Sequence, residues 1–338
     1  MPADTNRRYV LRSRPSDLPD AAHFAIESAP IPTPKTGELL VRILLVALSP
    51  WQGQRLKDFE NYTKPFQIGE LIDCDVLGQV VAGSCGGFNV GNLVTGRLGW
   101  QEHAVAKPAD LLAATTDFDE TLWLTALSSP GLTAYCALEM FGRPMPGETL
   151  VVTSAAGSVG SYAVQLGKLA GMKVVGVAGG DEKCSIVTDR LGADACLDHQ
   201  EDDLAGRLRE VCPEGVNLFF DTVGGPIADV VFEGLAKFAR VLIVGRTVSN
   251  NSARPDLDPV NMRMLWAREA SIQCFSRYSY PERWGFARER MATLCREGKI
   301  TAINNVVDGF EQTPSTLHGM LAGKYTGKVM VRYGDATK

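Results

Sequence analysis

The segment Ser154-Ala155-Ala156-Gly157-Ser158-Val159-Gly160 is glycine-rich and sits between two stretches of opposite character. Before it, Thr149-Leu150-Val151-Val152-Thr153-Ser154 is apolar and β-branched, as a strand is. After it, Ser158 to Ala170 has helix length and stops at Gly171. A tight turn from strand to helix, with small residues that let a backbone approach closely, is what binding a dinucleotide pyrophosphate requires. Ala155 stands where the strict G-x-G-x-x-G pattern has its first glycine, and the same residues would also serve close helix–sheet packing alone.

The end of the next strand discriminates between the two nicotinamide cofactors. An NAD site usually carries an acidic side chain there, bonded to the ribose 2′-hydroxyl. Here Lys173-Val174-Val175-Gly176-Val177-Ala178 runs out into Gly179-Gly180-Asp181-Glu182-Lys183. The glycines leave room for a phosphate, and Lys183 supplies a point charge for it, which favours NADP(H). A solvated lysine is the plain alternative, and the charge of Asp181 opposes a phosphate if it points inward.

These residues need a scaffold, and the pattern from about 123 to 301 supplies one. Strand-like segments at 149–154, 173–178, 195–197, 216–221, 240–245 and 271–275 alternate with helix-length segments at 158–170, 182–191, 203–211 and 282–297, predicting βαβ units around a parallel sheet. Residues 1–122 read mostly as β-structure, with strands over 39–48, 76–83 and 93–96 and glycines at their bends. The tail after Thr301 is too short for a domain of its own, so residues 302–338 are expected to rejoin the first region.

Composition narrows the classes further. The 338 residues are 45% hydrophobic and 22% charged with a net charge of −5, an ordinary globular balance without the basic footprint of a nucleic-acid binder. No apolar run approaches a membrane span, and no secretory leader is visible at Met1-Pro2-Ala3-Asp4-Thr5-Asn6-Arg7-Arg8, so a cytoplasmic protein is expected. The eight cysteines include no C-x-x-C and the four histidines no H-E-x-x-H, so no metal site is expected. There is no G-x-S-x-G elbow and no tyrosine followed four positions later by lysine, which weakens hydrolase and short-chain dehydrogenase readings.

Several segments, in order along the chain, resemble the zinc-independent medium-chain dehydrogenase/reductases. Within them they resemble the NADPH-dependent alkene reductases of the leukotriene B4 dehydrogenase/prostaglandin reductase and curcumin reductase kind. Leu48-Ser49-Pro50-Trp51-Gln52-Gly53-Gln54-Arg55 is similar to the family's LSVDPYMR stretch, with Trp51 where tyrosine is usual. Ser129-Pro130-Gly131-Leu132-Thr133-Ala134-Tyr135 matches P-G-L-T-A-Y, Ser154 to Gly160 matches A-x-x-G-x-x-G, and Asp221-Thr222-Val223-Gly224-Gly225 resembles D-N-V-G-G. Lys324-Tyr325-Thr326-Gly327-Lys328 stands at the C-terminal N-x-G-K-like element. The G-H-E motif and cysteine-rich lobe of zinc-dependent relatives are missing.

The resemblance implies an α/β fold: a Rossmann doubly wound parallel sheet joined to a GroES-like β-domain completed by the C-terminal tail, with the cofactor between them, in a homodimer. It implies that Thr133, Gly157, Ser158, Val159, Gly180, Lys183, Thr222, Gly245, Asn251 and Phe275 touch NADP(H). His199 replaces a tyrosine expected at the 2′-phosphate, to which a histidine can also donate. Trp51, Tyr62, Asn250 and Tyr278 are the implied substrate-pocket residues, with Asn250-Asn251 in place of the usual Tyr-Asn.

Reducing an activated alkene places negative charge on the carbonyl oxygen, so an O–H donor aimed there lowers the barrier. Tyr62 is the remaining phenol for that role, although a tyrosine packed on the β-domain is equally compatible with its position. The expected activity is NADPH-dependent reduction of the double bond of 2-alkenals and enones. A quinone oxidoreductase, which needs no dedicated donor, and a non-catalytic dinucleotide-binding protein are the alternatives.

Overall fold

Leu39–Ala47 is a nine-residue aliphatic run broken only by Arg42, and every other residue in it is buried. Such a segment needs neighbours on both sides, and it obtains them as the centre of a sheet. The computed structural model describes residues 5–58, 63–246 and 262–336. The chain divides into two units, Met1–Leu124 with Asn304–Lys338, and Thr125–Ile303.

In the first unit β1 (Thr5–Leu11) and β2 (Phe24–Pro30) form an antiparallel pair. The central strand is β3 (Leu39–Ala47), followed by β4 (Asp75–Ala82), β5 (Leu93–Arg97), β6 (His103–Ala106) and β7 (Leu111–Ala114). β3 pairs antiparallel with both β4 and β6. Gly78 sits where the β3–β4 register shifts, and a Cβ there would stand 2.5 Å from Val41 Cγ1, so only glycine allows the strands to close. Trp100, Phe66, Leu56 and the inward side chains of β3 fill the core.

The second unit holds β8 (Thr149–Thr153), β9 (Lys173–Ala178), β10 (Ala195–Asp198), β11 (Val216–Asp221), β12 (Leu235–Ile243) and β13 (Ser271–Cys274). They form one six-stranded sheet in the order β10-β9-β8-β11-β12-β13, and every pairing is parallel. Numbered along the chain within this unit, that order is 3-2-1-4-5-6, the doubly wound order of a Rossmann sheet. Val151, Val175, Phe219 and Val241 are almost completely buried, as strands covered by helices on both faces must be. The chain then returns to the first unit as β14 (Asn304–Asp308) and β15 (Lys328–Arg332), and β15 lies antiparallel to β3 with Met330 opposite Ala47. The tail completes the β-domain.

Two elements differ from their sequence expectation. The helix expected over Glu182–Leu191 is α-helical only over Asp181–Ser185 and widens into a π-turn over Ile186–Arg190. There the Thr188 hydroxyl donates to the carbonyls of Cys184 and Ser185 at 3.3 and 3.2 Å, a back-bond that disturbs a helix. The fifth strand of the parallel sheet begins at Leu235, five residues before the expected Arg240. Its first half is interrupted by a bulge in which Phe238 takes φ 62°, which destroys the alternation that would mark it.

Candidate functional site

β8 and β11 are the first and fourth strands of the parallel sheet and lie side by side, so the strand order reverses at their carboxyl ends. Ligands of doubly wound sheets bind at that point. A closed network holds it here. The Thr153 hydroxyl donates to Asp221 Oδ1 at 2.8 Å and accepts from the Thr222 N–H at 2.9 Å. The Thr222 hydroxyl donates to the Thr153 carbonyl at 3.1 Å, and the Val223 and Gly224 N–H groups both donate to Asp221 Oδ1 at 3.0 Å. Asp221 is 3% exposed, and burial pushes its carboxyl above the usual range despite these donors, which pull the other way. The two strand ends are thereby locked together.

The turn after β8 is shaped around one carbonyl. Ser154 adopts φ 48°, in the left-handed region that non-glycine residues seldom enter. The Gly157 N–H donates to the Ser154 carbonyl at 2.8 Å, and a Cβ on Gly160 would stand 2.2 Å from that same oxygen. Gly157 and Gly160 are therefore sterically required. Ala155, in the place of the pattern's first glycine, is tolerated because its neighbour on β9 is Gly176: a Cβ at Gly176 would lie 2.8 Å from the Ala155 methyl. The missing glycine has moved to the adjacent strand.

The helix Gly160–Leu169 follows, capped by Val159, whose side chain makes no cap bond. The N–H groups of Val159 and Gly160 find no acceptor among the described residues. Unsatisfied amides at a helix N-terminus, beside a backbone that only glycine permits, fit a diphosphate.

The ends of β9 and β10 are paired in parallel, Ala178 opposite Asp198, and bring the second group of expected residues together. Gly180, at φ 85°, caps the helix Asp181–Ser185, and a Cβ on it would meet nothing within 4 Å. A Cβ on Gly179 would stand 2.9 Å from His199 Nε2, so the exposed imidazole lies over Gly179. Asp198 accepts from the N–H groups of Gly180 and Gln200, which holds its carboxyl below the usual range and fixes the loop that carries His199. Lys183 stands half-buried in the single turn that follows Gly180, and Asp181 is exposed at that helix's first position. Open space beside Gly180, with an imidazole over Gly179 and a lysine in the next turn, suits a phosphate monoester.

The other expected residues are distributed as follows. Gly245 packs against the Thr222 backbone, where a Cβ would be 3.1 Å from the Thr222 carbonyl oxygen, and its N–H donates to the Asp221 carbonyl at 3.2 Å. Thr133 is half-buried on the helix Ser129–Ala137, and Ser158 is half-buried in the glycine turn. Phe275 follows β13, stacked parallel on Tyr280 at 5.7 Å. Tyr278 lies in a short turn with its hydroxyl accepting from Arg277 at 3.3 Å. Trp51 belongs to the first unit, on the helix Pro50–Arg55, with the Arg55 and Arg97 guanidinium carbons 4.8 and 4.5 Å from its ring centre. Tyr62, Asn250 and Asn251 lie outside the described residues. Among the described residues no group of three or more His, Cys, Asp or Glu side chains is arranged to hold a metal. Sequence reasoning missed the Thr153–Asp221 lock and the role of Gly176, both of which depend on strand adjacency.

Comparison with known proteins agrees with this architecture. Residues 7–113 match the model described as the N-terminal domain of oxidoreductase, and residues 158–293 match that described as zinc-binding dehydrogenase. The NADPH-dependent curcumin reductase of Escherichia coli is 36% identical over 97% of this chain and 96% of its own length. Prostaglandin reductase 1 of Bos taurus is 30% identical over 96% of this chain and 98% of its own. The crystal structure of CurA in complex with NADPH from Vibrio vulnificus superposes with a TM-score of 0.92 at 35% identity, covering 97% of this chain and 99% of that one. With similarity to these reductases along nearly the whole chain, the doubly wound sheet and the β-domain closed by its own C-terminal tail, the chain belongs to the zinc-independent medium-chain dehydrogenase/reductases.

Proposed function

We propose that this protein uses NADPH to reduce the carbon–carbon double bond of α,β-unsaturated carbonyl compounds, with 2-alkenals and enones as substrates. The observation that carries the cofactor assignment is the end of β9. Gly179 and Gly180 stand where an NAD-selecting carboxylate would be, with His199 over the first and Lys183 just beyond the second. The kinship with a curcumin reductase and a prostaglandin reductase supports the alkene chemistry.

NADPH supplies the hydride; the chain's residues hold and orient it. Gly157, Ser158 and Val159 at the helix N-terminus are assigned to the pyrophosphate, and Gly180, Lys183 and His199 to the 2′-phosphate. Thr133, Thr222, Gly245, Asn251 and Phe275 are assigned to the rest of the cofactor. Trp51, Asn250 and Tyr278 are assigned to the substrate pocket, and Tyr62 to the phenol that donates to the developing enolate oxygen. The protein is proposed to act as a cytoplasmic homodimer; among the described residues no helix is long and apolar enough to cross a membrane.

Stereospecifically deuterated NADPH tests the reaction. Deuterium at the β-carbon of an enal or enone, with the α-hydrogen taken from solvent, is the expected result. Deuterium at a carbinol carbon would make the protein a carbonyl reductase. Turnover confined to quinones would assign it to quinone reduction, a reading favoured by Trp51, which brings no hydroxyl to the position where the family usually has a tyrosine. Tyr62→Phe is expected to lower turnover about 10²-fold, the usual scale for removing one oxyanion donor.

A further inference from the structure

Cys184 and Cys196 are twelve positions apart and stand on different elements, yet their thiols meet. Cys196 lies on β10 opposite Gly176 of β9. A Cβ at Gly176 would stand 3.3 Å from Cys196 Sγ, so the sulfur lies over the space that the glycine leaves free. Cys184 is on the helix Asp181–Ser185, which packs against β10. The two half-buried side chains are hydrogen-bonded, and the bond pulls the Cys184 thiol down while it pushes that of Cys196 up. The Cys196 S–H is therefore the donor and the Cys184 sulfur the acceptor.

The pair is embedded among the residues assigned to the 2′-phosphate. Lys183 immediately precedes Cys184, and Asp198 and His199 follow Cys196 by two and three positions. Asp198 in turn accepts from the Gly180 N–H, which ties the two segments together. A covalent S–S bond is shorter than any thiol–thiol hydrogen bond. Forming it draws the helix towards β10, and Lys183 moves with its neighbour. The helix can yield, because it is a single turn that opens into the π-turn Ile186–Arg190, where the Thr188 hydroxyl donates to the Cys184 carbonyl at 3.3 Å.

The surroundings set how readily the pair reacts. Burial pushes both thiols up, and the carboxylates of Asp198, Asp181 and Glu201 push Cys184 further, against the bond from Cys196. At neutral pH both sulfurs are thus held as thiols. The thiolate is the attacking form, so oxidation is slow and takes a persistent oxidant. Cys184, which accepts the hydrogen bond, is the sulfur that attacks. Its thiolate displaces hydroxide from hydrogen peroxide, breaking the O–O bond and leaving a sulfenic acid. Cys196 then attacks that sulfur: the S–S bond forms, the S–O bond breaks, and water leaves with the Cys196 proton. Two electrons pass from the thiols to the peroxide, and a dithiol reductant returns them.

We propose that Cys184 and Cys196 form a reversible disulfide, a peroxide-driven modification site that loosens the hold on the 2′-phosphate of NADPH. The coupling rests on the assignment of Lys183 to that phosphate, and the test keeps the two apart. Protein treated with hydrogen peroxide is mapped by mass spectrometry without reduction, and its affinities for NADPH and NADH are read by fluorescence titration. The expected product is a cross-link between the Cys184 and Cys196 peptides, with the Kd for NADPH raised about tenfold, the scale of a lost charge-assisted hydrogen bond, and that for NADH nearly unchanged. Dithiothreitol should reverse both changes. By reciprocity, saturating NADP+ should raise the midpoint potential of the disulfide by about 30 mV, the equivalent of tenfold for a two-electron couple. Cys184→Ser and Cys196→Ala should each bind NADPH as reduced wild type does and lose the response to peroxide. Absence of the cross-link overturns the site, as does a response that persists in Cys184→Ser. A cross-link that leaves NADPH affinity unaltered overturns the coupling, and Lys183→Ala then decides the lysine's assignment separately. Reduced protein that binds NADH as tightly as NADPH overturns that assignment and the coupling with it, while the peptide map still decides the disulfide.

Discussion

Thr153 Oγ1 donates to Asp221 Oδ1 across 2.8 Å, joining the last residues of the first and fourth strands of the parallel sheet at the point where their order reverses. The same oxygen of Asp221 accepts the Val223 and Gly224 amides, so one buried carboxylate sets both the gap between the strands and the course of the chain leaving them. Fixing that gap before a flexible dinucleotide arrives lowers the ordering cost of binding it.

Asp221→Ala leaves two backbone N–H groups and a hydroxyl without their acceptor, and it is expected to cost about 3 kcal/mol or more in denaturant unfolding. Asp221→Asn keeps the accepting oxygen and should stay within about 1 kcal/mol of wild type. Their pH dependence should differ as well. Because burial raises the folded-state pKa of Asp221, its contribution is complete below the unfolded value of about 4 and is lost as pH rises through the folded value. The stability of wild type relative to Asp221→Asn should therefore fall as pH climbs out of the acid range, then level off. A stability of wild type relative to Asp221→Asn that rises with pH would contradict the assignment.

Gly160→Ala drives a methyl into the Ser154 carbonyl and is expected to destabilise by several kcal/mol or prevent folding, about the scale of a severe backbone clash. Gly285→Ala is the control. It lies on the helix Trp284–Arg296 with open space around it, and should gain up to about 1 kcal/mol. Thermal melting of the two variants checks both signs.

Lys183→Ala should raise the apparent KM for NADPH by about tenfold or more, the scale of a lost charge-assisted hydrogen bond, and leave that for NADH nearly unchanged. His199→Ala should move the same ratio in the same direction by less. Steady-state kinetics with both cofactors decides. An unaltered NADPH/NADH ratio in Lys183→Ala removes the lysine from the site.

Activity is expected to survive exhaustive chelation, with less than stoichiometric zinc by elemental analysis, because the sequence lacks the G-H-E motif and the described residues gather no donor set. Parallel loss of zinc and activity would refute this.

The parallel sheet was legible in the sequence because its strands are short apolar runs separated by helix-length segments that end at glycines such as Gly171 and Gly192. The β1–β2 pair was not, since Asn6 and Arg7 are stabilised by partners far along the chain: Arg7 by Glu102 and Glu311, Asn6 by the His103 backbone. Within the site, Gly157, Gly160 and Gly180 could be read locally because each answers a local backbone demand. Gly176 could not, because its partner Ala155 lies twenty-one positions away and meets it only across two strands.

The imidazole of His199 over Gly179 has a consequence for how this protein can change over time. The simplest mutational route from NADPH to NADH places an acidic side chain at the end of the second strand. At Gly179 that route meets the histidine, since even the first carbon of the new side chain would stand 2.9 Å from His199 Nε2 and the exposed imidazole has to swing aside. Swung aside, the imidazole gives up its assigned contact to the 2′-phosphate as the new carboxylate arrives. A single substitution at Gly179 thus acts on both cofactors at once, and laboratory selection for NADH use should recover changes there without a prior change at His199.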